Sequence, residues 1–331
     1  MGDTFGEDVG PTLFLKVAAT AAAPSPGDSV ERDDWVREVS AQAGRTRDDT
    51  GVERGDVLAF IHGYDTTPAV SLQRHRILAA DLRHHGYAGA VVSFDWPAGG
   101  QPLAYLDDRE KAKLTAFRLV GDCIELFARL QSRGDCAINV HLLAHSTGAY
   151  IIREAFDDAD DRRAVAAVNW TASQVALIAA DVSAASMAEN NPESASIYRH
   201  CVRLTNYANP FDEALQLSNV KRAGLAPRAG RVGLPADVPS KAVDVDCGEY
   251  YQAMIKTRPP ETIIGLPSHS WYIGDPVFTA DLASTLNGDL DRSAISTRQT
   301  LPTGQYKLVD PQALVATASA TPVPVRDVSS S

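Results

Sequence analysis

Short, uninterrupted apolar runs recur along the chain and carry its strongest structural signal. Six of them are rich in β-branched residues and predict strands: 56–63, 89–96, 137–145, 175–181, 201–207 and 241–247. Amphipathic spacing predicts helices that follow these strands, at 68–86, 108–133, 147–157, from about Phe211, and at 276–286. Apolar strands that alternate with helices predict an α/β fold, a doubly wound, mostly parallel sheet with helices on both faces.

The same pattern divides the chain into three parts. Residues 1–54 are predicted to add strands and loops to the main domain, with strands at 12–19 and 35–40. Residues 55–290 form that domain. Residues 291–331 show little periodicity and become rich in Ala, Thr, Pro and Ser, so we expect a poorly ordered tail.

Two further segments stand out by composition and position. Residues 220–240 are rich in Gly, Pro and Arg and predict a long surface loop. Segments 182–200 and 219–240 are both candidates to cover a pocket.

Composition and charge narrow the classes of partner. The 331 residues carry a net charge of −11, which disfavours nucleic acids and anionic membranes as partners. The chain has no run of 18 uncharged apolar residues, and its first ten residues are acidic where a secretion signal would be basic. We therefore expect a cytoplasmic protein with no membrane span. The four cysteines form no C-x-x-C pair and are expected to be free thiols.

Ser146 is the candidate nucleophile because it lies where the predicted strand 137–145 gives way to a helix. A serine on such a sharp turn holds its Oγ above the sheet and needs small residues two positions before and after it. Ala144 and Gly148 meet that need, although the full motif has Gly in both places. The alternative is a serine that merely caps the helix.

The segment Phe60-Ile61-His62-Gly63-Tyr64 ends an earlier strand and is the candidate oxyanion loop. In this arrangement two backbone N–H groups stabilise the oxyanion that forms from the substrate carbonyl. One comes from that loop and the other from the residue after the nucleophile, so Tyr64 and Thr147 are the predicted donors. Gly63 would allow the backbone to approach the substrate closely. The alternative is an ordinary turn.

The base and the acid are chosen by their order along the chain. His269 is the histidine after Ser146 that lies in a late loop, and the order serine, acid, histidine suits this fold. The alternative is a surface histidine. Asp212 and Asp181 both follow strands between Ser146 and His269. Asp212 follows the later strand and is preferred, while Asp181 stays open as the alternative acid, or as a pocket or capping residue.

Several motifs occur together over roughly residues 55–290: FIHGY (60–64), FDWPAGG (94–100) with Tyr105 and Asp107-Asp108-Arg109-Glu110, LLAHSTG (142–148), NYANPFDEALQLS (206–218) with Arg222-Ala223-Gly224, and His-Ser-Trp-Tyr at 269–272. In these motifs the chain resembles an α/β-hydrolase family of uncharacterised function found mainly in bacteria. The resemblance implies the α/β-hydrolase fold and a triad of Ser146, Asp212 and His269. It implies little about the substrate.

The sequence therefore predicts a serine hydrolase that cleaves small carboxylic esters in two steps, without a metal or organic cofactor. Two alternatives stay open. The same triad could serve an acyltransferase, a thioesterase or an amidase, or the fold could be a catalytically silent binding protein. The pattern specifies no oligomeric state.

Overall fold

The computed structural model describes residues 5–44, 46–47, 53–98, 105–126, 128, 138–221 and 226–313. Its strands are β1 Phe14–Leu15, β2 Ser29–Val30, β3 Thr46–Arg47, β4 Glu53–Ile61, β5 Ala90–Phe94, β6 Ile138–His145, β7 Ala172–Ile178, β8 Cys201–Ala208, β9 Ala242–Asp246, β10 Arg298–Thr300 and β11 Tyr306–Leu308.

Helices connect and cover these strands. They are α1 Arg32–Ala41, α2 Pro68–His84, α3 Tyr105–Leu119, α4 Thr147–Asp161, α5 Arg163–Ala166, α6 Pro192–Arg199, α7 Glu213–Lys221, α8 Ala229–Val232, α9 Gly248–Met254, α10 Pro267–Ser270 and α11 Pro276–Asn287. A π-helical turn, Val120–Ile124, continues α3. None of the described helices is both long and apolar enough to cross a bilayer.

Nine strands form one sheet, in the order β10-β11-β9-β8-β7-β6-β4-β3, with β5 also paired to β4. The strands from β5 and β4 across to β11 pair in parallel, whereas β10 and β3 are antiparallel to their neighbours. The predicted doubly wound, mostly parallel sheet is confirmed. Parallel pairing brings the carboxyl ends of β4 to β9 to one edge, where the candidate site residues lie.

The sheet separates two apolar cores. Successive residues of β6 point to opposite faces, so Leu142 and Ala144 join the core under α3 and α4, while Leu143 joins the core under α2 and α11. Burial on both faces explains why these strands read as continuous apolar runs.

The first 54 residues differ from the prediction in two elements. Residues 35–40, predicted as a short strand, lie in helix α1. Asp33 and Asp34 occupy the first turn of this helix, where negative charge is favourable. Its Trp35 ring packs on Phe14 of β1, at a centroid distance of 5.3 Å. The strand predicted at 12–19 is reduced to two residues of β1.

Two predictions of irregular structure are corrected in part. Within 220–240, α8 is built into the fold: a Cβ added to Gly230 would lie 2.0 Å from Ala180 N, so only glycine permits this packing. Within the predicted tail, β10 and β11 extend the sheet, because β11 pairs with β9 and buries Tyr306 and Leu308. Residues 314–331 lie outside the described residues, as do positions 99–100 and Arg222-Ala223-Gly224 of the motifs.

Candidate active site

Backbone strain concentrates at the carboxyl edge of the sheet. In the described part of the chain, three residues other than glycine have a positive φ: Asp65 (52°), Ser146 (57°) and Ala179 (50°). Asp65 lies in the loop after β4, while Ser146 and Ala179 directly follow β6 and β7. Such conformations cost free energy and tend to occur at functional sites, so the edge is a candidate active site.

Ser146 lies on the turn from β6 to α4. Its φ and ψ are 57° and −122°, and its side chain makes no capping hydrogen bond to α4. The capping alternative is therefore not supported. The Ser146 N–H donates to Ile178 O at 3.1 Å, and the Asp181 N–H donates to Ser146 O at 3.1 Å. The neighbouring strand thus fixes the turn from both sides.

Two glycines let the backbone close around this turn. A Cβ on Gly148 would lie 2.4 Å from Ile61 O, and a Cβ on Gly63 would lie 2.6 Å from the Ser146 Cβ. Gly63 was expected to make room for substrate, but it also makes room for the serine itself. The predicted oxyanion donors, Tyr64 and Thr147, flank this contact. Thr147 is the first residue of α4, where N–H groups have no partner within the helix.

His62 and the FDW motif hold the candidate oxyanion loop in place. The buried His62 ring stacks on Trp96, and its Nε2 lies 2.7 Å from Asp95 Oδ1. Its Nδ1–H donates to Gly63 O at 2.8 Å, and the Trp96 indole N–H donates to His62 O at 3.0 Å. Since β4 and β5 are neighbours, two motifs 30 residues apart in sequence form one unit.

Asp212 and His269 form a direct pair. His269 Nδ1–H donates to Asp212 Oδ2 at 2.7 Å, while Asp212 Oδ1 accepts the Leu215 N–H at 2.9 Å as the N-terminal cap of α7. The carboxylate is buried, and the imidazole is 12% exposed. With Nδ1 donating, Nε2 carries the lone pair, the tautomer that can accept a proton.

The loops that carry this pair are bonded to each other. Asn209 Nδ2 donates to Ser268 O at 2.9 Å, and the Glu213 N–H donates to Ser268 Oγ at 3.2 Å. The short helix α10, which contains His269, therefore docks onto the loop of Asp212. This docking fixes the imidazole relative to its carboxylate.

Asp181 has different partners. Its carboxylate lies 3.1 Å from Arg228 Nε and accepts a hydrogen bond from Ser218 Oγ at 3.0 Å. Of the two aspartates left open by the sequence, the one bonded to His269 is thus Asp212. The backbone N–H of Asp181 donates to Ser146 O, while its carboxylate binds Arg228 and Ser218.

His145 is a site residue that the sequence does not identify. Strand alternation predicts that its side chain points away from Ser146, and the ring lies 4.6 Å from that of His269, between centroids. Its Nε2–H donates to His269 O at 3.1 Å. Burial lowers the pKa of His145 well below its usual value, so the ring is neutral. The partners are 124 residues apart, so no local signal reveals the contact.

The arrangement suits proton transfer and attack by an oxygen nucleophile. A strained serine follows His145, whose ring contacts that of His269, and His269 is bonded to a buried carboxylate. Within the described residues, no group of three or more His, Cys, Asp or Glu side chains is placed to hold a metal ion.

Residues 40–242, more than half of the chain, match a family described as alpha/beta hydrolase of unknown function (DUF900). The matched residues include Ser146 and Asp212, whereas His269 lies beyond them. A search of the curated proteins found no match.

Solved structures with a similar fold include TT1662 from Thermus thermophilus, at 12% identity and a TM-score of 0.40, covering 74% of this chain and 96% of that one. Esterase B from Lactobacillus rhamnosis is 10% identical, with a TM-score of 0.36 and coverage of 70% and 76%. An esterase from Pyrobaculum calidifontis is 12% identical, with a TM-score of 0.34 and coverage of 78% and 93%.

Proposed function

We propose that this chain, which belongs to the alpha/beta hydrolase family of unknown function (DUF900), is a serine hydrolase that cleaves carboxylic esters through an acyl-enzyme. The observation that carries the proposal is the hydrogen bond from His269 Nδ1 to Asp212 Oδ2 at 2.7 Å. The His269 backbone is bonded in turn to His145, the residue before the strained turn at Ser146. The cytoplasmic location expected from the sequence stays a prediction.

In the proposed mechanism His269 Nε2 takes the proton of Ser146 Oγ while that oxygen attacks the ester carbonyl carbon. The carbonyl oxygen becomes an oxyanion, which accepts hydrogen bonds from the backbone N–H groups of Tyr64 and Thr147. The C–O bond to the alcohol then breaks, and the alcohol leaves with the proton from His269. Water repeats the sequence on the acyl-enzyme and releases the acid.

Asp212 stabilises the imidazolium that forms at each step and keeps Nδ1 protonated in between. Burial makes this effect strong, because the carboxylate is screened from water. Its second oxygen caps α7, which fixes the direction of the carboxylate. Asp212 thus caps helix α7 with one carboxylate oxygen and orients the proposed base with the other.

The surroundings favour an apolar ester. Phe211 is 45% exposed beside Asp212, and Leu266 is 41% exposed three residues before His269. Exposed large apolar side chains next to a reactive centre offer contact area to an acyl or alkyl chain. A panel of esters of increasing acyl length should therefore show kcat/KM rising with the first few added methylenes.

Acyl transfer, thioester and amide cleavage use the same residues and stay as alternatives, and a silent binding protein stays as the alternative from another class. A fluorophosphonate probe separates activity from silence. We expect labelling on Ser146 that the Ser146→Ala variant lacks, while Ser218→Ala, a serine bonded to Asp181, labels like the wild type. Absence of labelling in the folded wild type would contradict the proposal.

A further inference from the structure

A buried arginine lies between the loops of the candidate site. Arg74 extends from α2, and the residue is 5% exposed. No aspartate or glutamate among the described residues forms an ion pair with it. A buried charge must be compensated by hydrogen bonds or an ion pair, because removing it from water costs free energy.

The guanidinium instead bonds to two loops. Arg74 Nη1–H donates to Thr66 Oγ1 at 3.3 Å, and the Thr66 hydroxyl donates to Tyr64 O at 3.3 Å. These two hydrogen bonds connect Arg74 to the backbone of Tyr64, a predicted oxyanion donor. Arg74 Nη2–H donates to Ile264 O at 3.0 Å and lies 3.5 Å from Ser270 Oγ, on either side of His269.

Gly265 is shaped to receive the guanidinium. Its φ is +106°, and an added Cβ would lie 2.8 Å from Arg74 Nη2. Another residue at this position would be strained and would also displace the arginine. The loop before His269 thus packs closely against the Arg74 guanidinium at Gly265.

From these contacts we infer that Arg74 is a positioning residue, which sets the distance between the oxyanion loop at 62–66 and the base loop at 264–270. A planar guanidinium can hold two loops at a defined spacing, because its donors diverge in a rigid fork. The expected effect of Arg74 on catalysis rests on the proposed function. The contacts of Arg74 with the two loops do not depend on that proposal.

The test uses a matched pair of variants on one helix. Arg76, two residues further along α2, donates to Ala21 O at 2.7 Å and Ala18 O at 2.8 Å, away from the site. Arg74→Met and Arg76→Met therefore each remove a guanidinium that donates hydrogen bonds to neutral oxygen atoms of other segments. Only the first variant should disturb the site.

Two measurements decide. For Arg74→Met we expect kcat to fall by about 10- to 100-fold with KM within about threefold, since misplaced catalytic groups slow the chemistry rather than binding. Amide hydrogen exchange should accelerate in both 62–66 and 264–270. Arg76→Met should leave kcat and both exchange rates at wild-type values. Arg74→Lys, which lacks the fork, should restore kcat only in part.

Unchanged exchange in both loops of Arg74→Met overturns the inference, as does a kcat equal to that of Arg76→Met. If Arg74→Met does not fold, Arg74→Lys decides by the same exchange measurement: faster exchange in both loops supports the inference, and unchanged exchange overturns it. A folded wild type that cleaves no ester contradicts the proposed function alone, and the exchange rates still decide the role of Arg74.

Discussion

Two buried carboxylates near strand β8 have opposite surroundings. Asp281 accepts hydrogen bonds from Tyr207 Oη at 2.7 Å, from Thr297 Oγ1 at 2.7 Å and from the Arg298 guanidinium, whose side chain is fully buried. Asp212, five residues after Tyr207, accepts from one backbone N–H and from His269.

The difference separates a structural cluster from the pair that we propose to be catalytic. The charge of Asp281 is balanced by the Arg298 guanidinium, which stays protonated, so this pair is not suited to proton transfer. The Asp212 carboxylate is hydrogen-bonded instead to the His269 imidazole, a group that can gain and lose a proton, so the pair is suited to proton transfer. Burial alone does not distinguish them. The nature of the partner does.

The largest effect is expected from removing the proposed nucleophile. Ser146→Ala should lower kcat for a reactive ester by on the order of 10⁶-fold, leaving only the contribution of binding and the oxyanion donors. Circular dichroism and thermal melting should match the wild type, because the side chain makes no capping bond. A variant with kcat within tenfold of wild type would remove Ser146 from the mechanism.

The next effect tests the acid. Asp212→Asn should lower kcat by about 10⁴-fold, because an amide allows the wrong histidine tautomer. Asp181→Asn is the matched control, since its carboxylate binds Arg228 and Ser218 instead. We expect it to stay within about tenfold of wild type, as its effect is indirect. The reverse result, assayed side by side on one ester, would assign the acid to Asp181.

On the structural side, Asp281→Asn should destabilise the fold without touching the chemistry. It leaves the Arg298 guanidinium buried without its carboxylate, at a cost of about 3–5 kcal/mol in unfolding free energy. Glu249→Gln breaks the exposed pair with Lys307 and should cost less than about 1 kcal/mol. Urea unfolding measures both. Equal losses would contradict the contrast between the two pairs.

A smaller effect than that of Asp281→Asn is expected in the dependence of the unfolding free energy on pH. Burial raises the pKa of Asp244 to about 6, although Asn206 Nδ2 and the Leu234 N–H donate to its carboxylate. Because the folded state holds this proton more tightly than the unfolded chain, the contribution to stability is full below about pH 4 and is lost as pH rises through about 6, by up to about 3 kcal/mol.

Urea unfolding at pH 4, 5, 6 and 7 measures this contribution. The loss between pH 4 and 7 should be smaller in Asp244→Asn than in the wild type by that amount. Asp246→Asn, at the exposed end of the same strand, removes a nearby negative charge that also raises this pKa, so it should weaken the pH dependence far less than Asp244→Asn does. Parallel curves for the wild type and Asp244→Asn would contradict the raised pKa.

Local patterns in the sequence were sufficient for six strands of the sheet, β4 to β9, and for the turn at Ser146. Strands buried on both faces are continuous apolar runs, so β4 to β9 could be predicted without tertiary information. The turn at Ser146 needs small neighbours within two residues, and that requirement is also local. Helix α1 and strands β10 and β11 escaped prediction, because packing on Phe14 and pairing with β9 are contacts with distant residues.

Tertiary structure alone decided how the site is held together. The sequence could rank Asp212 above Asp181 by position, but only the docking of α10 on the Asp212 loop brings one of them to His269 Nδ1. The contacts of His145 and Arg74 with the base loop join residues 124 and 190 positions apart. Side chains that meet across such separations leave no periodic trace in one sequence, because their partners are fixed by the fold rather than by neighbours along the chain.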